Sequence, residues 1–142
     1  LIVPQQGTLT VHTELGRLVV APLEVAVIPR GIRMSVDGDG ECRGYILEVY
    51  NGHFELPDLG PIGANGLANP QDFAYPEAAL FMCDAGDWTL YNKYNGDLFV
   101  SRQRDSPFNV AAWRGNYAPF KYDLRRFNTM NTVSYDHPVS FP

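Results

Sequence analysis

Hydrophobic positions recur with a period of two through the first fifty residues, in short runs separated by Gly, Pro or Asp, and this pattern predicts β-strands. Thr8-Leu9-Thr10-Val11-His12-Thr13 alternates, Glu14-Leu15-Gly16 turns it, and Arg17-Leu18-Val19-Val20 returns, which makes a hairpin. Ala21-Pro22-Leu23 breaks the ladder before a strand from Glu24 to Ile28, and Pro29-Arg30-Gly31 turns the chain into another from Ile32 to Val36. After the loop Asp37-Gly38-Asp39-Gly40, the β-branched and aromatic run from Arg43 to Tyr50 reads as a buried strand. Short strands at turn spacings of about eight to twelve residues favour an antiparallel sandwich or barrel.

The middle of the chain changes character. Pro57, Pro61 and Pro70 combine with Gly60, Gly63 and Gly66 to forbid a regular element between Asp58 and Gln71. A long ordered loop from Asp58 to Pro70 is expected, because Pro restricts the unfolded chain and Gly permits tight turns. Strands resume from Trp88 to Tyr94 and from Asp97 to Gln103, joined by Asn95-Gly96, a pair suited to a type I′ turn. Phe108 to Trp113 and Thr129 to Tyr135 complete the predicted strands, and Tyr122 to Phe127 is the one short helix expected. Val25, Val27, Ile46, Leu47, Leu90, Phe99 and Val110 are the candidate core. The fold class expected is all-β, an antiparallel β-sandwich in one domain over residues 1–142.

Composition bounds what such a domain does. With 142 residues, 45% of them hydrophobic, the chain can bury one substantial core. Its net charge is −5 and its eleven Lys and Arg are scattered, so it lacks the basic stripe that nucleic acid requires. No apolar run approaches the roughly 18 to 20 residues that cross a bilayer, and Leu1-Ile2-Val3-Pro4 carries no basic leader region. A cytoplasmic protein with no nucleic-acid or membrane partner is expected. Cys42 and Cys83 lack CxxC spacing, which favours reduced thiols over a disulfide. A first residue that is not Met, inside a strand-like segment, suggests a piece of a longer protein.

Three histidines limit the chemistry. A non-haem Fe(II) facial triad needs two His and one carboxylate on one side of the metal. His12 and Glu14 sit two apart on a strand, hence on one face, and His53 and Glu55 repeat the spacing. The plainer alternatives are a solvated strand face for His12 and a loop-anchoring hydrogen bond for His53. His137 lies between Asp136 and Pro138, whose ring biases it toward extended backbone. An imidazole held beside a carboxylate is a candidate general base, and a surface histidine in a frayed terminus is the alternative. Gly60 to Gly66 lacks the Gly-Lys-Ser/Thr ending and the following helix of a phosphate loop. Neither cysteine has a nucleophile's surroundings, and Arg125-Arg126 reads as a solvated face. Trp113, Tyr117, Phe120 and Tyr122 could stack on a ring ligand or pack against a neighbouring domain.

Five stretches together resemble the homogentisate 1,2-dioxygenase family. They are Leu1 to Gly7, Arg43 to Tyr50, His53 to Pro70, Ser106 to Val110, and Trp113 to Tyr122. The last carries Arg114 where the family has His. The resemblance spans the chain and about the middle third of a full enzyme. It implies a jelly-roll (cupin-like) sandwich, the greater part of the amino-terminal one, with residues 136–142 beginning the connection to a catalytic cupin. It implies Fe(II) as cofactor, held by two His and a Glu beyond Pro142, so that no residue here is a metal ligand. Asp136-His137-Pro138 resembles the family's active-site histidine, which contacts the substrate hydroxyl and acts as base. The chain continues Val139-Ser140-Phe141-Pro142 where the family has an Asp-Pro-Ser-Ile-Phe pattern. Homogentisate and O₂ are the implied substrates, the carboxy-terminal cupin domain the implied partner, and a trimer-based hexamer the implied assembly. The chain alone is expected to be inactive, with aromatic surface that a partner domain covers. The alternative is a non-catalytic cupin-like domain serving assembly or small-molecule binding.

Overall fold

The computed structural model describes residues 1–55, 68–78, 86–111, 115 and 117–127. The described strands are β1 (Ile2–Gln6), β2 (Leu9–Thr13), β3 (Gly16–Val20), β4 (Glu24–Val27), β5 (Met34–Gly38), β6 (Arg43–Ile46), β7 (Phe73–Ala74), β8 (Trp88–Tyr94), β9 (Asp97–Gln103) and β10 (Phe120–Asp123). Helical structure among the described residues is confined to two single 3-10 turns, Pro70–Asp72 and Leu124–Arg126. None of it is long and apolar enough to cross a membrane.

All pairings among the described strands are antiparallel. A five-stranded sheet has the order β6-β1-β4-β10-β7, a three-stranded sheet the order β3-β2-β5, and β8-β9 form a separate two-stranded sheet. The predicted hairpin pairs Leu9 with Val20 through to Thr13 with Gly16. Along β3 the alternation is strict, with Gly16, Leu18 and Val20 buried and Arg17 and Val19 exposed. The core joins Ile2 and Ala26 of the larger sheet to Val11, Leu18 and Val20 of the smaller one. Apolar residues from two facing sheets make this part of the chain a β-sandwich, and each such aliphatic side chain stabilises it by roughly 1.5–3 kcal/mol.

The hairpin turn is held from inside. Thr13 is fully buried, and its hydroxyl donates to the Gly16 carbonyl at 2.8 Å while accepting from the Leu15 amide at 3.2 Å. Gly16 has φ +124°, and a Cβ there would lie 2.2 Å from the Glu77 carbonyl oxygen. That space is closed because Arg17 and Glu77 exchange backbone hydrogen bonds of 2.8 and 2.9 Å. The second hairpin closes at Asn95 and Gly96, both with positive φ (50° and 90°), as a type I′ turn requires.

Lys121 secures β10. Its ammonium donates to both Glu24 carboxylate oxygens at 2.9 and 3.0 Å and to the Val19 carbonyl at 2.7 Å. Beside it Tyr122 is buried against Phe73, with ring centroids 4.8 Å apart. The Tyr122 hydroxyl is buried without a hydrogen-bond partner among the described residues, and burial pushes its pKa up, so it stays neutral.

Several expectations need correction. Arg43 to Tyr50 is exposed rather than buried, with only Arg43–Ile46 regular, because β6 is the outer strand of its sheet among the described residues. β5 runs from Met34 to Gly38, later than expected, because Leu9 and Thr10 of β2 extend the ladder to Gly38 and Asp37. Phe108 to Ala111 is no strand: Asn109 donates to the Ser106 carbonyl at 3.1 Å, closing a turn with Pro107 inside it. The helix expected from Tyr122 to Phe127 is the end of β10 followed by the 3-10 turn Leu124–Arg126. Of the candidate core only Val27 is buried; Val25 and Leu90 are half-buried, and Ile46, Leu47, Phe99 and Val110 are exposed. The expected strand from Thr129 to Tyr135 and most of the loop from Asp58 to Pro70 lie outside the described residues.

Two substitutions separate these contributions. Thr13→Val keeps the shape but strands the Leu15 amide and the Gly16 carbonyl, and a loss of about 1–3 kcal/mol is expected in urea unfolding. Tyr122→Phe removes a buried hydroxyl that no described residue satisfies, and stability by the same measurement is expected to hold or rise.

Candidate functional site

A cleft of about 740 Å³ opens beside β6. Its walls are largely apolar, with Met34, Ile46, Leu47, Phe54 and Phe120, and its polar margin includes His53, Glu55, Tyr117 and Lys93. The His53 Nδ1 lies 3.4 Å from the Tyr117 hydroxyl, and the rings meet edge to face at 5.6 Å and 89°. His53 therefore anchors its loop to the segment before β10.

The two His-x-Glu pairs have different fates. His12 sits on β2 with Nε2 3.1 Å from an Asp37 carboxylate oxygen on β5. Glu14 falls in the hairpin turn, not on the strand, and its carboxylate accepts from Arg33 Nη1 at 2.9 Å. The one-face geometry expected of that pair is lost where the strand ends. His53 and Glu55 share the cleft margin. Among the described residues, no group of three or more His, Cys, Asp or Glu could hold a metal ion. The described arrangement is an apolar cleft with a polar margin.

His137, the candidate base, lies outside the described residues, as do Asp136, Trp113, Arg114, Cys83 and the glycine-rich stretch from Gly60 to Gly66. Cys42 is a free thiol, with Sγ 3.8 Å from the Thr8 carbonyl oxygen. Of the aromatic group, Phe120 and Tyr122 pack on Phe73 within the chain, while Tyr117 borders the cleft.

Two ionic clusters were not legible in the pattern. Lys93 on β8 pairs with Glu48 beyond β6 and lies 5.2 Å from the centre of the Tyr50 ring, whose hydroxyl donates to Glu48 at 3.2 Å. The hydrogen bond from Lys93 holds the Glu48 carboxyl below its usual range, and the same bond raises Lys93. Arg125-Arg126 is solvated as expected, but both arginines are paired. Arg125 grips Asp123 with Nε at 2.8 Å and Nη2 at 2.7 Å, and Arg126 reaches Asp72 at 2.7 Å.

The described residues define an antiparallel β-sandwich with an apolar cleft beside β6. Comparison with known proteins specifies the family. Residues 1–124 match the family model described as homogentisate 1,2-dioxygenase N-terminal, and the chain belongs to that family. It is 61% identical over 137 residues to the homogentisate 1,2-dioxygenase of Caenorhabditis elegans, 58% over 137 to that of Drosophila melanogaster, and 57% over 138 to that of Homo sapiens. Each alignment covers 96% of this chain and 31% of the relative, so the chain spans about a third of the length of these proteins.

The Arg125 fork gives a titration that can be read directly. It holds the Asp123 carboxyl down to about 2, so whatever the pair contributes is complete above the ordinary carboxylate range and is lost as pH falls toward 2. NMR titration of the Asp123 carboxyl carbon is expected to show that low midpoint in the wild type and a return toward about 3.9 in Arg125→Ala.

Proposed function

We propose that this chain is the sandwich portion of a homogentisate 1,2-dioxygenase, an Fe(II) enzyme that joins homogentisate and O₂ to give maleylacetoacetate in tyrosine and phenylalanine breakdown. The observation that carries this reading is the match of residues 1–124 to the N-terminal model of that family. The named relatives at 57–61% identity support it. The full-length enzyme on this reading is cytoplasmic, contains a carboxy-terminal cupin that follows this jelly roll, and assembles as a trimer-based hexamer.

The described residues do not fit an iron site, since Glu14 is engaged by Arg33 and the His53-Glu55 pair joins no third ligating side chain. On the proposed reading, as the family resemblance implies, the metal ligands lie beyond Pro142. What this chain supplies to the chemistry is His137. A neutral imidazole, with an unperturbed pKa of about 6.5, accepts the proton of a substrate hydroxyl at cytosolic pH. The phenolate so formed donates electron density to the ring far better than the phenol, and the ring is thereby prepared for attack on oxygen and opening.

The test is made on the full-length protein. Wild type is expected to take up O₂ in a homogentisate-dependent manner. His137→Ala is expected to keep its iron and lose turnover by about a hundred- to ten-thousand-fold, the range a general base contributes. Unchanged turnover in that variant removes His137 from the mechanism, and a full-length protein without homogentisate-dependent uptake removes the assignment.

A further inference from the structure

We infer that the outer edge of β6 is a docking edge, completed by a β-strand of the same polypeptide that lies outside residues 1–142. The two edges of the five-stranded sheet are finished differently. β7 has two residues, with Pro70 and Pro76 close on either side, and such short proline-flanked edges resist further pairing. β6 has four residues, continues into apolar Leu47, and carries a single charge, Arg43. None of the usual protections of a free edge, namely lysine, proline or an inward charge, is present along Gly44-Tyr45-Ile46.

The hydrogen-bond phase identifies the groups left over. Leu1 and Leu47 exchange backbone bonds of 2.8 and 2.9 Å, which fixes them as a hydrogen-bonded pair. Pair types alternate along an antiparallel ladder, so Val3 and Tyr45 are bonded in the same way, while Ile2·Ile46 and Pro4·Gly44 are not. The peptide groups of Tyr45 and Leu47 therefore point to β1, and those of Gly44 and Ile46 point outward.

The side chains tell the same story. Ala26, Ile2 and Ile46 are register partners and share one face of the sheet, yet their exposures run 0%, 5% and 80%. Among the described residues the buried row stops abruptly at β6. The apolar cleft beside it, lined by Ile46, Leu47, Met34 and Phe54, offers a place for the side chains of an added strand. The relatives indicate where that strand comes from, since this chain matches only 31% of their length and most of their polypeptide lies outside the match. The inference rests on reading this chain as part of such a longer protein.

Hydrogen exchange at residue resolution on the unmodified full-length protein tests the edge. The Gly44 and Ile46 amides are expected to exchange within about tenfold of the Tyr45 and Leu47 amides. Exchange of Gly44 and Ile46 at the rate of unprotected amides overturns the inference. The occupant is identified by placing the photoreactive residue p-benzoylphenylalanine at Tyr45 in an equal mixture of ¹⁴N- and ¹⁵N-labelled full-length protein. Cross-links to residues beyond these 142, with both ends carrying one isotope, are expected. Mixed-isotope cross-links would assign the edge to a second copy, and cross-links landing within the 142 residues would assign it to this segment itself; either overturns the proposal. Protected amides in a protein that does not consume homogentisate would retract the dioxygenase assignment alone.

Discussion

The ammonium of Lys121 is the point on which the two sheets depend. It lies on β10, is bound by Glu24 of β4, and reaches the Val19 carbonyl near the end of β3, so one side chain ties the large sheet to the small one. Glu24 also accepts from the Ala21 amide at 2.8 Å, which holds the turn between those strands. Both charged groups are largely withdrawn from water, at 23% and 13% side-chain exposure, and each charged hydrogen bond of this kind contributes about 1.5–3 kcal/mol. With β10 fixed in this way, Tyr122 seats on Phe73 and the short β7 pairs beyond it.

Local alternation made the hairpins legible. β2 and β3 could be read from Thr8 to Val20, and β8 and β9 from the Asn95-Gly96 pair, because turn chemistry and a period of two agree there. Burial was not legible. The run after Arg43 has the composition of a core strand, but whether it is covered depends on neighbours that composition does not encode, and here it is the rim. The same dependence explains why Phe99 and Leu47 are exposed while Val11 and Ala26 fill the core. At Phe108 local chemistry wins instead, since Ser106-Pro107 commits the backbone to a turn before β propensity can act.

The candidate site divides along a similar line. A His-x-Glu spacing is readable as two residues, but its geometry depends on the strand continuing through both, and at Glu14 it does not. Partners distant in sequence, such as Tyr117 for His53 or Lys93 for Glu48, leave no periodic trace. Family membership follows from long specific stretches, whereas the described fold by itself marks out a cleft and an open sheet edge rather than a reaction. Its chemistry, on the proposed reading, is concentrated in one histidine near its end.

The separation between Glu24 and Lys121 also sets a timetable. The two residues are 97 positions apart, and at ribosomal rates of about 5–20 residues per second β10 emerges roughly 5–20 s after β4. The β2-β3 hairpin has its partner at once and can close in microseconds. The β4 edge, in contrast, waits through the synthesis of most of the chain for the strand and the cation that complete it. Nascent chains are thus most vulnerable to wrong pairing during that interval, and the order of translation, rather than the finished fold, determines which surface a chaperone meets.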